Sequence, residues 1–245
     1  MSNPNRESSH SLSQKEKNLS MSLARSIEPI LTDESRKAHS QYPDFFTSIR
    51  DSTQMLSNDI SEILFELLRA LKLSFNVPLT LQFGIIDSDL NAFVDSGTNA
   101  FVDSGPNAFV EFYADGKARL VISLAFLEYV AKETGKGNRF EAHAQLRYVL
   151  AHEFFHLYSK VKYPTTTKRT SEVNKQSRTN ESAYDLDLGE RSANLFAIKH
   201  LLDQSEENKD QKSANIKVAQ QEKSELRNKL VVARIQRKIK SLFTH

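Results

Sequence analysis

The sequence of 245 residues contains no cysteine. The chain therefore forms no disulfide and offers no thiolate to a metal ion, which suits a reducing compartment. It also lacks any run of about 18 apolar residues, so the sequence predicts no transmembrane helix. The N-terminal residues show no apolar core of a secretory signal. These absences favour a soluble, cytoplasmic protein.

An excess of one charge is also lacking, since 33 Lys or Arg residues stand against 31 Asp or Glu. A formal net charge of +2 gives no strong sign of a nucleic-acid or membrane partner. Hydrophobic residues make up 39% of the chain, enough for one substantial core. We expect three regions: a disordered leader over residues 1–40, one folded domain over 41–205 and a C-terminal helix over 206–245.

The leader prediction rests on composition, because residues 1–40 are rich in Ser, Asn, Lys and Glu and contain few large apolar side chains. A Ser-rich leader also suits the export signal of a secreted effector. Composition favours a disordered leader without an export function.

The candidate metal-binding and catalytic residues lie within residues 149–158, VLAHEFFHLY. Here His152, Glu153 and His156 follow the order HExxH. Apolar residues recur at helical spacing around them, which predicts a helix. Residues four apart share one helix face, so the two histidines can bind one metal ion, and Zn²⁺ is the natural candidate. Glu153 could take a proton from water activated by that ion. The alternative is a buried helix whose histidines are only hydrogen-bonded.

Glu190 is the candidate for the third ligand. It opens the predicted helix ERSANLFAIKHLL, in which Asn194 follows one turn later and could hydrogen-bond to a ligand imidazole. The alternative is an exposed Glu at a helix N-terminus, where a negative charge is favourable. Other acidic residues remain open as third ligands: Glu172, Glu181, Asp185 and Asp187.

HExxH followed by Glu-x-x-Ala-Asn resembles the gluzincin metallopeptidases. The segments NAFV, RLVIS and YVLAHEFFH are similar to the HtpX and CAAX-protease branch, whereas ERSANLFAIKHLL resembles the ImmA/IrrE branch. The resemblance covers about residues 107–202. It implies that His152, His156 and Glu190 bind zinc and that Glu153 is the general base. Asn194 stands where related enzymes often have Asp.

The remaining pattern predicts a zincin-like α+β fold, with a small, mostly antiparallel sheet packed against the active-site helix and a second, ligand-bearing helix. The expected elements are a long helix over residues 44–75, a strand over 79–85, a hairpin of 108–113 and 118–123, a short helix over 124–134 and the active-site helix from Arg139.

Two connecting segments are expected to lie outside these elements. NAFVDSG occurs over residues 91–97 and 99–105, and NAFV recurs from Asn107. We interpret the first two copies as a tolerated surface insertion rather than a functional array. Residues 160–180 have little to bury and are either a lid over the cleft or a solvated connection, which is the preferred interpretation.

The C-terminal helix combines an apolar stripe with a basic face. Either it binds an anionic surface or a partner, or it docks on its own domain, which the sequence favours. The predicted stripe is Leu230, Val231, Ile235, Ile239, Leu242 and Phe243.

Together these features predict a soluble zinc metallopeptidase that cleaves protein or peptide substrates paired with an exposed strand, residues 118–123. The candidates for stabilising the oxyanion are Tyr184, Arg191 and His200. One rival is a catalytically weak zinc-fold module that binds a protein, nucleic acid or membrane surface. The other is a protease that acts at the membrane surface. Nothing in the sequence fixes the oligomeric state.

Overall fold

The computed structural model describes residues 14–71, 79–85, 107–113, 117–162, 188–204 and 208–243. These residues form seven helices and a three-stranded mixed sheet, which confirms the α+β class. The helices are α1 (Gln14–Gln41), α2 (Ser48–Asp51), α3 (Thr53–Ala70), α4 (Leu124–Gly135), α5 (Arg139–Lys162), α6 (Leu188–Asp203) and α7 (Lys209–Phe243). The strands are β1 (Leu79–Gly84), β2 (Ala108–Phe112) and β3 (Ala118–Ser123). None of the helices, over the residues described, is long and apolar enough to cross a bilayer.

The sheet has the order β1-β3-β2. The predicted hairpin is confirmed, since β2 and β3 pair antiparallel with Val110 opposite Leu120. β1 instead runs parallel to β3, so the sheet is mixed rather than mostly antiparallel. The prediction that residues 118–123 form an exposed edge strand is wrong, because β3 is hydrogen-bonded on both sides. The edge nearest to α5 is β2.

The predicted disordered leader is also wrong over the described part of residues 1–40, because α1 begins at Gln14. Its apolar residues are sparse but helically spaced, and Ile27 and Leu31 are 1% and 0% exposed within the main core. A helix that packs mainly on one neighbour, here α3, needs only a narrow apolar stripe. Residues 1–13 lie outside the described part.

The single helix expected over residues 44–75 is divided into α2 and α3 at Ser52, whose backbone is not helical. The buried carboxylate of Glu128 on α4 accepts hydrogen bonds from Ser48 N at 3.0 Å and Ile49 N at 2.7 Å. It thereby satisfies free N–H groups at the start of α2. Periodicity within residues 44–75 carries no information about a partner about 80 residues away.

Helices α4 and α5 occur where predicted and place the HExxH segment. Ser123 Oγ at the end of β3 accepts a hydrogen bond from Phe126 N and so caps α4. After α4, Gly137 adopts a φ of 92°, a left-handed conformation that favours glycine and lets the chain reverse into α5.

The first turns of α7 pack against α5 and α6 through Ala214, Val218 and Ala219, which form a second apolar cluster with Ile198 and Leu201 of α6. The predicted docking holds only for this part of α7. Farther along the same helix, Val231, Val232 and Ile235 are 48%, 52% and 52% exposed. The expectation that the apolar stripe packs on the domain is therefore wrong for Val231 and Ile235.

The structure sharpens the prediction about the repeat, although residues 91–106 lie outside its described part. β1 ends and β2 begins at the same end of the sheet, on either side of β3 and therefore about 10 Å apart. Deleting residues 91–106 leaves residues 85–90 and 107, a connection that spans up to about 23 Å. The deleted protein should keep cooperative thermal unfolding and its metal affinity. Loss of cooperative unfolding would show that the repeat is structural.

Candidate metal centre

Antiparallel packing of α6 on α5 brings His152, His156 and Glu190 together. The Nε2 atoms of the two histidines are 3.1 Å apart. Glu190 Oε2 lies 3.2 Å from His152 Nε2, and Glu190 Oε1 lies 3.3 Å from His156 Nε2. These are the three residues that the HExxH motif and the resemblance nominated, and among the described residues they are the one group with the spacing of a metal site.

The three distances fit a tetrahedral metal ion. Two ligand atoms about 2.05 Å from such an ion lie about 3.3 Å apart, close to each of the three spacings. Glu190 Oε2 is buried and has no hydrogen-bond partner within the described structure. A buried carboxylate oxygen without a hydrogen bond is costly unless a cation satisfies it. The residues present therefore fit a Zn²⁺ ion.

Asn194 sets the orientation of His152. Its Oδ1 atom lies 3.1 Å from His152 Nδ1. Because an amide oxygen only accepts hydrogen bonds, Nδ1 carries the proton and Nε2 keeps its lone pair toward Glu190 and His156. This is the arrangement by which metal sites orient a ligand imidazole. The supporting role predicted for Asn194 agrees with this contact.

Tyr148 and Glu222 extend this contact to the C-terminal helix. The hydroxyl of Tyr148, one turn before His152 on α5, donates to Asn194 Oδ1 at 2.6 Å. Burial and the nearby carboxylate of Glu222 raise the pKa of Tyr148 well above its usual range. The hydroxyl therefore stays protonated and remains a donor. A continuous polar chain links Glu222 on α7 to His152.

The electrostatics separate the two glutamates of the site. Burial alone raises the pKa of Glu190, but the close approach of His152 and His156 outweighs it and holds that pKa well below its usual range. Burial raises the pKa of Glu153, only partly offset by the same histidines. Glu190 is therefore suited to bind a cation as a carboxylate, and Glu153 to hold a proton.

Glu153 also connects the site to the sheet. Its Oε1 atom is 3.9 Å from His152 Nε2, and its carboxylate accepts a hydrogen bond from the backbone N–H of Val110 on β2. Asn107 and Tyr113 hydrogen-bond to β3, so by alternation the backbone of Val110 faces the other way. The open edge of β2 therefore runs beside Glu153.

Of the other predicted site residues, the structure describes only His200 and Arg191. His200 lies ten residues beyond Glu190 on α6, about 15 Å along the helix axis, with its ring stacked on Phe196. That distance rules out His200 as an oxyanion donor. Tyr184, the alternative third ligands Glu172, Glu181, Asp185 and Asp187, and most of the candidate lid over residues 160–180 lie outside the described residues. Arg191 is adjacent to Glu190, with no described contact to the metal-binding atoms.

Comparisons with protein families, curated proteins and solved structures give no match for this chain. The gluzincin resemblance therefore rests on the short motifs, and the fold class rests on the structure itself.

Three supporting residues were missed from the sequence. Tyr148 was detectable, because it lies four residues before His152 and so shares its helix face. Val110 lies in the predicted hairpin, but no local signal pairs its N–H with Glu153. Glu222 belongs to a helix that was treated as a separate region.

Tyr148→Phe removes the hydroxyl that holds Asn194, with little change in volume. We expect the zinc dissociation constant to rise about tenfold, as is typical when a residue that orients a metal ligand is lost. Competition with a chromogenic chelator measures this constant. Tyr129→Phe on α4 is the matched control and should bind zinc as wild type does. Equal affinity in the two variants would show that the Tyr148 contact does not support the site.

Proposed function

We propose that this protein is a zinc-dependent metallopeptidase. The observation that carries the proposal is the convergence of two imidazole nitrogens and one carboxylate within 3.1–3.3 Å, beside a further buried glutamate. Two histidines and a glutamate are a ligand set of catalytic zinc sites, which keep one position open for water or substrate. A zinc ion held there would polarise a carbonyl group and lower the pKa of a water molecule.

Glu153 is the proposed general base. It neighbours the ligand set without belonging to it, and its raised pKa favours its holding a proton taken from water. The same carboxyl group would then donate that proton to the leaving amine. Val110 N–H fixes its position, because this hydrogen bond ties the carboxylate to β2.

The edge of β2 is the proposed docking site for the peptide. An extended chain can pair with the backbone groups of Ala108, Val110 and Phe112, which point away from β3. Such pairing would place a scissile bond next to Glu153 and would read little sequence. β2 thus replaces residues 118–123 as the proposed substrate strand, and unstructured proteins or peptides are the expected substrates.

The rival function is a regulatory module that binds metal without hydrolysis. The presence of Glu153 beside the ligands favours the enzyme, because a purely structural site has no use for a buried base.

The cytoplasmic location remains a prediction.

The test compares two conservative changes. In Glu153→Gln the ligand set is intact, so zinc content should equal that of wild type while cleavage falls by about 10² to 10⁴. In Glu190→Gln a charged ligand becomes a weak neutral one, so zinc affinity and cleavage should both fall. Elemental analysis and cleavage of a random peptide pool measure the two effects.

Glu141→Gln is the matched control, because Glu141 lies on α5 but pairs with Lys217 at the surface. It should behave as wild type. Zinc in wild type without any cleavage would favour the binding module. Full zinc and full activity in Glu190→Gln would remove Glu190 from the ligand set.

A further inference from the structure

The charge of this protein is concentrated at one end of α7. Residues 223–243 contain seven Lys or Arg and one Glu, whereas the other 224 residues contain 26 Lys or Arg and 30 Asp or Glu. The nearly neutral net charge is therefore the sum of a strongly basic end of α7 and an acidic remainder of the chain. Arg227 and Lys229 are exposed.

The same helix end presents exposed apolar side chains. Val231, Val232 and Ile235 are about half exposed, and at about 100° per residue they fall within a single arc of about 100°. Glu222, Leu226 and Leu230 are partly buried and lie on the opposite side. Leu230 lies on the partly buried side of the helix. The exposed apolar stripe therefore includes Val232 in place of Leu230, which the sequence had predicted.

In the sequence, Ile239, Leu242 and Phe243 recur at helical spacing after Ile235. Residues 223–243 would form a helix about 31 Å long. An apolar stripe flanked by Lys and Arg is the pattern of helices that lie in the plane of a membrane surface, where the apolar side enters the acyl boundary and the basic side chains reach lipid phosphates.

We propose that residues 223–243 of α7 bind the surface of an anionic lipid bilayer. A nucleic acid would satisfy the basic residues but would leave Val231, Val232 and Ile235 in water. A bilayer accommodates both features at once, and this decides between the two anionic partners. The binding does not depend on the metal centre.

Co-sedimentation of the full-length protein with vesicles tests this proposal. Wild type should sediment with vesicles made of equal parts phosphatidylglycerol and phosphatidylcholine, and not with phosphatidylcholine alone. Val231→Ser with Ile235→Ser, which removes apolar contact, should weaken binding about tenfold. Arg227→Glu with Lys229→Glu should weaken it by about tenfold or more.

Each double variant has a control of the same chemistry elsewhere. Lys209→Glu with Lys212→Glu makes the same charge change at the start of α7, and Ile30→Ser with Leu202→Ser removes exposed apolar side chains from α1 and α6. Both controls should bind vesicles as wild type does. Thermal unfolding of all variants verifies that these surface changes leave the fold intact.

Two results would overturn the proposal. The first is wild-type protein that does not sediment with the anionic vesicles. The second is undiminished vesicle binding by the Val231 and Ile235 variant while the Arg227 and Lys229 variant loses it. That second result would describe a purely electrostatic contact, and binding of the same proteins to a DNA duplex would then identify a nucleic-acid surface.

Discussion

The close packing of α6 against α5 is the constraint on which the site depends. His152 and His156 are four residues apart on one helix, but their third partner comes from another. The buried faces of both helices carry alanines, including Ala151 on α5 and Ala197 on α6, which are fully buried. Small side chains at a helix contact allow the axes to approach closely. Glu190 can then reach both imidazoles with a short carboxylate side chain.

That packing has an electrostatic cost, because it buries lone-pair atoms against one another. Two imidazole nitrogens and the two oxygens of one carboxylate, with contacts of 3.1–3.3 Å, stabilise the fold only if a proton or a cation lies among them. Asn194 places the proton of His152 on the far side of the ring, so a metal ion is the better partner. The remaining polar chain through Tyr148 to Glu222 makes the first half of α7 part of the support of the site. In the second half of α7, Val231, Val232 and Ile235 are about half exposed.

Local patterns in the sequence predicted the helices and strands whose formation depends on residues close to one another in the chain. The HExxH helix, the hairpin and the helix that carries Glu190 each have their signal within a short window. Long-range contacts had no such signal: Glu128 divides a predicted helix by capping α2, and α1 folds on so few apolar residues that composition indicated disorder. Strand order was also inaccessible, because a hairpin pattern does not tell which strand gains a third neighbour. The contacts of Val110 and Glu222 with the site are also long-range, so the sequence carried no signal for them.

The proposed function requires that His152, His156 and Glu190 hold one zinc ion. Anomalous diffraction from crystals of the zinc-loaded protein, recorded on both sides of the zinc absorption edge, tests it most directly. A zinc ion held by these residues should give one strong peak within about 2.2 Å of the three ligand atoms, and this peak should disappear in crystals of His156→Ala. The absence of a peak between these three residues in zinc-loaded wild-type crystals, or a peak that persists there in His156→Ala, would contradict it.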